Sequence, residues 1–321
     1  MKARTALAGL LGVTLAAGLA FWAVQRAGGA RFVESLTSVA PWVLLPALLC
    51  EAVSQTCRAW KWTGLLSGIK HVPLSSALRA VLIGAAATHV VPLRLDELLR
   101  AKVLGDLEDI PPATVLATVA VDRVLEILVL GTLLGIISLF GPPPGALGAA
   151  FKVAWVAFLA GSVVLTAFVL AEERVVATLQ RYAGPGAKLV GALATIATDM
   201  ARGLRALPRG SALSRVLVGT VGEWTATVGI YIFVLTGFGL AAAPTTTLTL
   251  AVGGAAAYGV PNVPGAIGTF EAAQVTILEP LLSLPADEAL AVAVLAHAVL
   301  MVPVTLIGAG VGLGIWLRPR A

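Results

Sequence analysis

Apolar stretches of about twenty residues recur from one end of this chain to the other, each long enough to cross a hydrocarbon core of roughly 30 Å. Of the 321 residues, 58% are hydrophobic and only 12% are charged. An ordinary soluble domain carries about a quarter charged residues, so a water-facing surface cannot be built from this composition. The expectation is an all-α, polytopic membrane protein, a single membrane domain over residues 1–321, in the bacterial cytoplasmic (inner) membrane. The net charge of +5 would suggest nucleic acid in a soluble protein. Here the basic residues sort to one side of the membrane, and no nucleic-acid partner is expected. Cys50 and Cys57 lie on one predicted helix, about 10.5 Å apart along its axis at a rise of 1.5 Å per residue, too far to bridge.

Continuous apolar segments at about 5–25, 39–60, 113–140, 149–170, 213–238 and 287–317 read as six full spans. The first has no convincing small-x-small cleavage site and reads as a retained span. Two further apolar stretches, Ser75 through Pro92 to Leu104 and Thr247 through Pro261 and Pro264 to Leu282, are broken by Pro or Gly. Lys2, Arg4, Arg58, Lys61, Lys70, Arg100, Lys102, the arginines from Arg174 to Arg215, Arg318 and Arg320 fall on the cytoplasmic side by the positive-inside rule, which puts both termini inside. The first broken stretch then enters and leaves on the cytoplasmic side and the second on the outside, as re-entrant hairpins.

This threading makes an inverted repeat, 39–140 against 213–317. GAAATHVVP from Gly84 resembles GAAAYGVP from Gly254, and each is followed by a helix with an early glutamate, Glu97 or Glu271. A substrate site at the bilayer midplane, between the two broken helices, follows from such a repeat. The stretch 172–212 places Leu189, Leu193, Ile196, Met200 and Leu204 on one helical face. It reads either as an amphipathic cytoplasmic helix on the inner leaflet or as a connector whose basic face sets topology. Trp22 and Trp42 near one interface, with Trp60, Trp62 and Trp316 near the other, read as anchors.

Ionisable groups at membrane depth cost about 2.5–3.5 kcal/mol each by insertion scales, so each needs a partner or a wet cavity. Three clusters stand out. PLRLDELLRAK holds Arg94, Asp96, Glu97 and Arg100 after the Pro92 break, with Glu97 three residues from both arginines. At a half-helix N-terminus such arginines form a site for an anionic group such as lipid phosphate. Asp122, Arg123 and Glu126 sit inside an apolar span, where an arginine is expected between the carboxylates; a structural lock between helices is the competing reading. PNVPGAIGTFEAA supplies Asn262, Pro264, Gly268 and Glu271, with backbone unwound before the glutamate. Glu51, Glu223 and His297 are singletons in apolar spans, read first as helix–helix hydrogen-bond partners.

HExxH, GxSxG, a Walker loop and CxxC do not occur, and His71, His89 and His297 are the three histidines. No metal and no cofactor is expected. PLRLDELLR, DRVLEILVL and PNVPGAIGTFEAA together resemble the patterns of the lysylphosphatidylglycerol synthase transmembrane, or flippase-domain, family, in order and spacing over about residues 40–317. Short relatives associated with hopanoid biosynthesis fit this length. Asp96 stands where that family's pattern has Gly, Ala266 replaces its second Gly, and His297 occupies a place where Arg is expected. The resemblance implies a transporter rather than an enzyme. It would move a polar-headed lipid (aminoacyl-phospholipid, polyprenyl-linked lipid or hopanoid) between leaflets, with substrate-binding weight on Arg94, Glu97, Arg100, Asp122, Arg123, Glu126, Asn262, Pro264, Gly268, Glu271 and His297. Membrane lipid is the expected partner, with lipid-synthesis enzymes and a second copy of the chain as further candidates. An intramembrane enzyme acting on a headgroup and a scaffold for a lipid-synthesis complex are the rival readings.

Overall fold

The computed structural model describes residues 30–90, 96–170, 210–259 and 264–317. The expected first span, nearly all of the 172–212 connector, Arg94 and Asn262 lie outside the described residues. Within them the chain is helical throughout: α1 (Ala30–Thr37), α2 (Leu44–Leu66), α3 (Leu74–Val90), α4 (Asp96–Glu108), α5 (Pro112–Phe140), α6 (Gly145–Leu170), α7 (Ser211–Gly237), α8 (Pro244–Gly259), α9 (Thr269–Leu282) and α10 (Ala286–Trp316), with single 3-10 turns at Pro41–Val43 and Pro264–Ala266. Local chemistry sets several boundaries. Pro112 and Pro244 open α5 and α8, where a missing N–H costs nothing and the fixed φ suits a first helical residue. Gly141 and the three prolines after it stop α5.

Four helices are long and apolar enough to cross a bilayer, Pro112–Phe140, Gly145–Val163, Ser211–Gly237 and Ala286–Trp316, and the protein is a multi-span membrane protein. Six spans are expected from the sequence. Of the other two, α2 has the length at 23 residues but carries Glu51, Arg58 and Lys61, and 5–25 lies outside the described residues. Ile127, Leu139 and Phe140 of α5, Val153 and Val156 of α6, and Leu306, Ile307 and Leu313 of α10 are exposed. Apolar surface on this scale belongs against acyl chains.

Each broken stretch folds back on itself. Asp96 and Arg100 of α4 lie against Gly84 of α3, so the two arms run antiparallel. In the second hairpin Gln274 of α9 donates from Nε2 to the Leu250 carbonyl of α8 at 3.0 Å, while Gly253 faces Ile277. The tips of the two hairpins touch, since a Cβ built on Gly265 would stand 3.6 Å from the Cα and the carbonyl oxygen of His89.

Glycine makes the long seams. α2 and α7 run antiparallel in close contact, with Gly219 against Lys61, Gly222 against Cys57, Gly229 against Cys50 and Gly237 against Val43. With no hydrophobic drive between helices in lipid, small residues that let backbones approach supply the packing. Across the molecule, α10 meets α3 at Gly308, where an added Cβ would lie 2.1 Å from the Leu82 carbonyl oxygen. Backbone cannot yield as a side chain can, so Gly308→Ala should cost about 1–3 kcal/mol by forcing α10 off α3. The denaturant midpoint of the detergent-solubilised variant checks this, and an unchanged midpoint would count against the seam.

Most packed pairs survive the exchange of α2, α3, α4 and α5 for α7, α8, α9 and α10. α2 packs on α3 as α7 does on α8; the arms of the two hairpins pair alike; α4 packs on α5 as α9 does on α10; and α3 packs on α10 as α8 does on α5. The contact of α2 with α10 is a departure. Local backbone agrees: Asp109 and Ser283 both adopt left-handed conformations, φ 54° and 53°, and two residues after each a proline, Pro111 or Pro285, caps the next long helix.

Candidate functional site

The apolar helices enclose two polar constellations. The first lies where α2, α4, α5 and α7 converge. Lys61 of α2, 2% exposed, places Nζ 3.0 Å from Asp122 Oδ1 of α5 and 3.0 Å from Glu223 Oε2 of α7, with Glu126 Oε1 at 3.9 Å. One turn earlier Arg58 donates from Nε to Glu223 Oε1 at 2.8 Å. Arg100 of α4 donates from Nη1 to Asp122 Oδ2 at 3.2 Å. Arg123 lies between carboxylates, donating from Nε to Glu97 at 2.7 Å and from Nη1 to Glu126 at 2.6 Å, with Asp96 at 3.9 Å. Arg58, Lys61, Arg100 and Arg123 thus face Asp96, Glu97, Asp122, Glu126 and Glu223. Charges this deep persist only because each meets its opposite.

Pairing is incomplete at Asp96, whose Oδ1 is buried with no hydrogen-bond partner among the described residues, and at Arg100. Its guanidinium stacks 3.8 Å from the centroid of the Trp62 ring, and its Nε and Nη2 are buried with no hydrogen-bond partner among the described residues. Trp62 itself is fully buried, its Nε1 donating to Thr118 Oγ1 at 3.0 Å. A guanidinium held by one carboxylate and one ring face, with an edge of donors unspent, can take an anion bidentately.

The second constellation stands at the tip of the second hairpin. Gly265, Ala266 and Gly268 have φ of 67°, 54° and 85°, so the chain turns through left-handed backbone before α9. Glycine takes this conformation freely, whereas Ala266 holds it at a cost of roughly 1–2 kcal/mol. Glu271, at the third position of α9, accepts the Gly268 N–H on Oε2 at 2.6 Å, closing the helix start as an N3 glutamate does. Its other oxygen lies 2.6 Å from Nδ1 of His297 on α10. The imidazole stacks on Phe270 at 4.3 Å between centroids and meets the Tyr258 ring edge-on at 5.7 Å.

Of the residues the sequence singled out, Glu97, Arg100, Asp122, Arg123 and Glu126 come together in the first constellation, and Gly268, Glu271 and His297 in the second. Pro264 opens the 3-10 turn between the hairpin arms. Three expectations change. Arg58 and Lys61, expected only to mark the cytoplasmic side, enter the polar cluster: Lys61 is buried and Arg58 reaches Glu223, because carboxylates on α5 and α7 lie within reach. Trp62 is not an interfacial anchor but the floor beneath Arg100. Among the described residues Glu97 pairs across to Arg123 of α5 rather than with Arg100, which turns to Asp122. The signal for Lys61 was present: Arg58 and Lys61, three apart on a helix that also carries Glu51, mark one polar face. Among the described residues no group of three or more His, Cys, Asp or Glu could hold a metal ion.

A bundle of apolar helices that encloses paired charges and two broken hairpins defines a polytopic membrane protein with an internal polar site. The family model described as the lysylphosphatidylglycerol synthase TM region matches residues 9–308, and the chain belongs to that family. No curated protein matches the chain.

Proposed function

We propose that this protein moves a lipid with an anionic polar headgroup between the leaflets of the bacterial cytoplasmic membrane, both termini being cytoplasmic. The headgroup enters between the hairpins and is held at Arg100, on the second arm of the first, while the tails stay in lipid. The observation that carries this reading is Arg100, buried and aromatic-stacked, with two nitrogens unpartnered among the described residues. A solvated arginine needs no such seat, and a purely structural one would have its donors spent. Family membership supports lipid translocation as the role. The exchangeable packing of α2–α5 and α7–α10 supports an inverted repeat of two re-entrant hairpins, the architecture in which a midplane site opens to each side in turn. Arg94 is assigned to the same headgroup by its place beside the first break. Aminoacyl-phospholipid and polyprenyl-linked lipid share the phosphate this site would read, and an enzyme that makes the lipid is the partner such a role calls for.

Native mass spectrometry of gently solubilised protein tests the reading, alongside reconstitution with a fluorescent phosphatidylglycerol. The wild type should retain one anionic lipid class. Arg100→Gln, monodisperse on gel filtration, should lose that class and translocate at least about tenfold more slowly, the equivalent of 1.4 kcal/mol. Equal retention of an unselective lipid mixture by both would overturn the assignment, and a lipid product of altered mass would point to headgroup chemistry instead.

A further inference from the structure

The two hairpins carry clamps at corresponding places whose cations differ in chemistry. In the first, Glu97 of α4 bonds Arg123 of α5; in the second, Glu271 of α9 bonds His297 of α10; and in both the partners are 26 residues apart. Each pair ties the second arm of a hairpin to the long helix that follows, across a turn with a left-handed residue, Asp109 or Ser283, and a proline cap two residues on. A guanidinium keeps its charge at any pH a protein meets, whereas an imidazole carries charge only when protonated. The cation of the first clamp is therefore permanent, and that of the second exists only when His297 holds a second proton.

The geometry prepares His297 for that proton. An ionised carboxylate only accepts, so with Glu271 Oε1 at 2.6 Å the ring hydrogen sits on Nδ1, and Nε2 keeps its lone pair. Glu271 cannot swing away, because Oε2 is engaged by the Gly268 N–H. A carboxylate fixed behind an imidazole sets its tautomer and stabilises the cation formed at the far nitrogen. That far nitrogen is buried, without a hydrogen-bond partner among the described residues, on a side chain 5% exposed. Among the described residues, these titratable groups stand around it on the packed elements. Glu271 comes from α9 and Tyr258 from α8. From α3 comes His89, whose ring lies 6.2 Å from that of Tyr258. Tyr258 also feels Tyr231 of α7, bonded by Gln274, Glu51 of α2, bonded by Gln55, and the charge of Arg58 of α2. His89 donates from Nδ1 to Thr305 Oγ1 at 2.6 Å, since that hydroxyl spends its own hydrogen on the Met301 carbonyl.

We propose that His297, oriented by Glu271, binds a proton at Nε2, and that its charge state sets how firmly the second hairpin is clamped to α10. Protonated, the pair equals the Glu97–Arg123 clamp; neutral, it leaves the Glu271 charge held by one hydrogen bond and a helix start. With a fixed cation in one clamp and a titratable one in the other, the two clamps respond differently to pH. The transport consequence rests on the lipid-moving reading above, while proton binding stands apart from it.

Two measurements separate these. Protein carrying ¹⁵N-histidine, in nanodiscs of phosphatidylcholine and phosphatidylglycerol, gives signals from three histidines, His297 being identified by its loss in His297→Arg. Spectra are recorded from about pH 5 to pH 8, the range in which histidine side chains in general change charge, and the Nε2 signal should move as the ring takes up its second proton. In vesicles of the same lipids with a fluorescent phosphatidylglycerol, the wild-type rate should change at least about fivefold over that range. His297→Arg should hold the wild-type low-pH rate throughout, and His297→Gln the high-pH rate. A His297 ring that does not titrate overturns the proposal whether or not lipid moves. A titrating ring with wild-type pH dependence persisting in His297→Arg overturns the clamp. Absence of lipid movement by the wild type at every pH sinks the proposed function, and the magnetic-resonance result still decides the proton site.

Discussion

Replacing Lys61 with methionine should destabilise the protein by about 3–5 kcal/mol, the usual cost of removing one partner from a buried ionic cluster. Lys61 is 2% exposed and lies 3.0 Å from carboxylates on two different helices, so its loss frees no space for water. Methionine fills the volume of the stem but leaves Asp122 to Arg100 alone and Glu223 to Arg58 alone. Repulsion between these two carboxylates, at present screened by the ammonium between them, then acts in a medium of low dielectric. Unfolding of the purified protein by sodium dodecyl sulfate, followed by circular dichroism, measures the change. The double variant Lys61→Met with Asp122→Asn should recover part of it, because removing both members of a pair is far cheaper than removing one. If the double variant is no more stable than the single, the loss lies in packing and the electrostatic account is wrong.

Trp62→Ala should cost a similar 3–5 kcal/mol, for a different reason. The indole is fully buried in the core formed with Leu66, Val81, Leu104, Val115 and Val119, so truncation opens a cavity among helices that cannot close on it. The Arg100 guanidinium loses the ring face it lies on, a contact worth about 2 kcal/mol when desolvated. Thr118 loses the indole donor. Trp62→Phe restores the ring face but not the Nε1–H donor, and should return most of the stability. Comparing the two by the same unfolding experiment separates volume from hydrogen bonding. A Phe variant as unstable as the Ala variant would show that the Thr118 bond outweighs the packing.

The parts of this molecule legible in its sequence are those fixed by local pattern. Length and hydropathy gave the long helices, and the prolines at 92, 261 and 264 marked the two breaks because they cannot continue a helical ladder. The charged residues at 94–100, 122–126 and 271 drew attention for the cost of burying them. What the pattern could not supply is which helix faces which. Lys61 and Trp62 lie near a helix end, where a basic residue and an indole equally suit a membrane interface, and only the approach of α5 and α7 turns them inward. Glu97 had candidate partners at helical spacing on its own helix, and a deeper carboxylate on α5 drew Arg100 away. Glu271 was legible as an early acidic residue of its helix. That one oxygen closes the helix start while the other orients an imidazole needed coordinates.

The seam between α2 and α7 also fixes an order of events during synthesis. At about 5–20 residues per second, Glu223 leaves the ribosome roughly 160 residues after Lys61, a delay on the order of ten to thirty seconds. Throughout that interval the nascent chain holds a lysine whose final counter-charge does not yet exist. Asp122, made much sooner and also 3.0 Å from Lys61 in the finished protein, can shelter it while the first half waits in the membrane. Synonymous changes that slow translation between α5 and α7 would lengthen that wait, and should lower the yield of inserted protein without altering one residue of it.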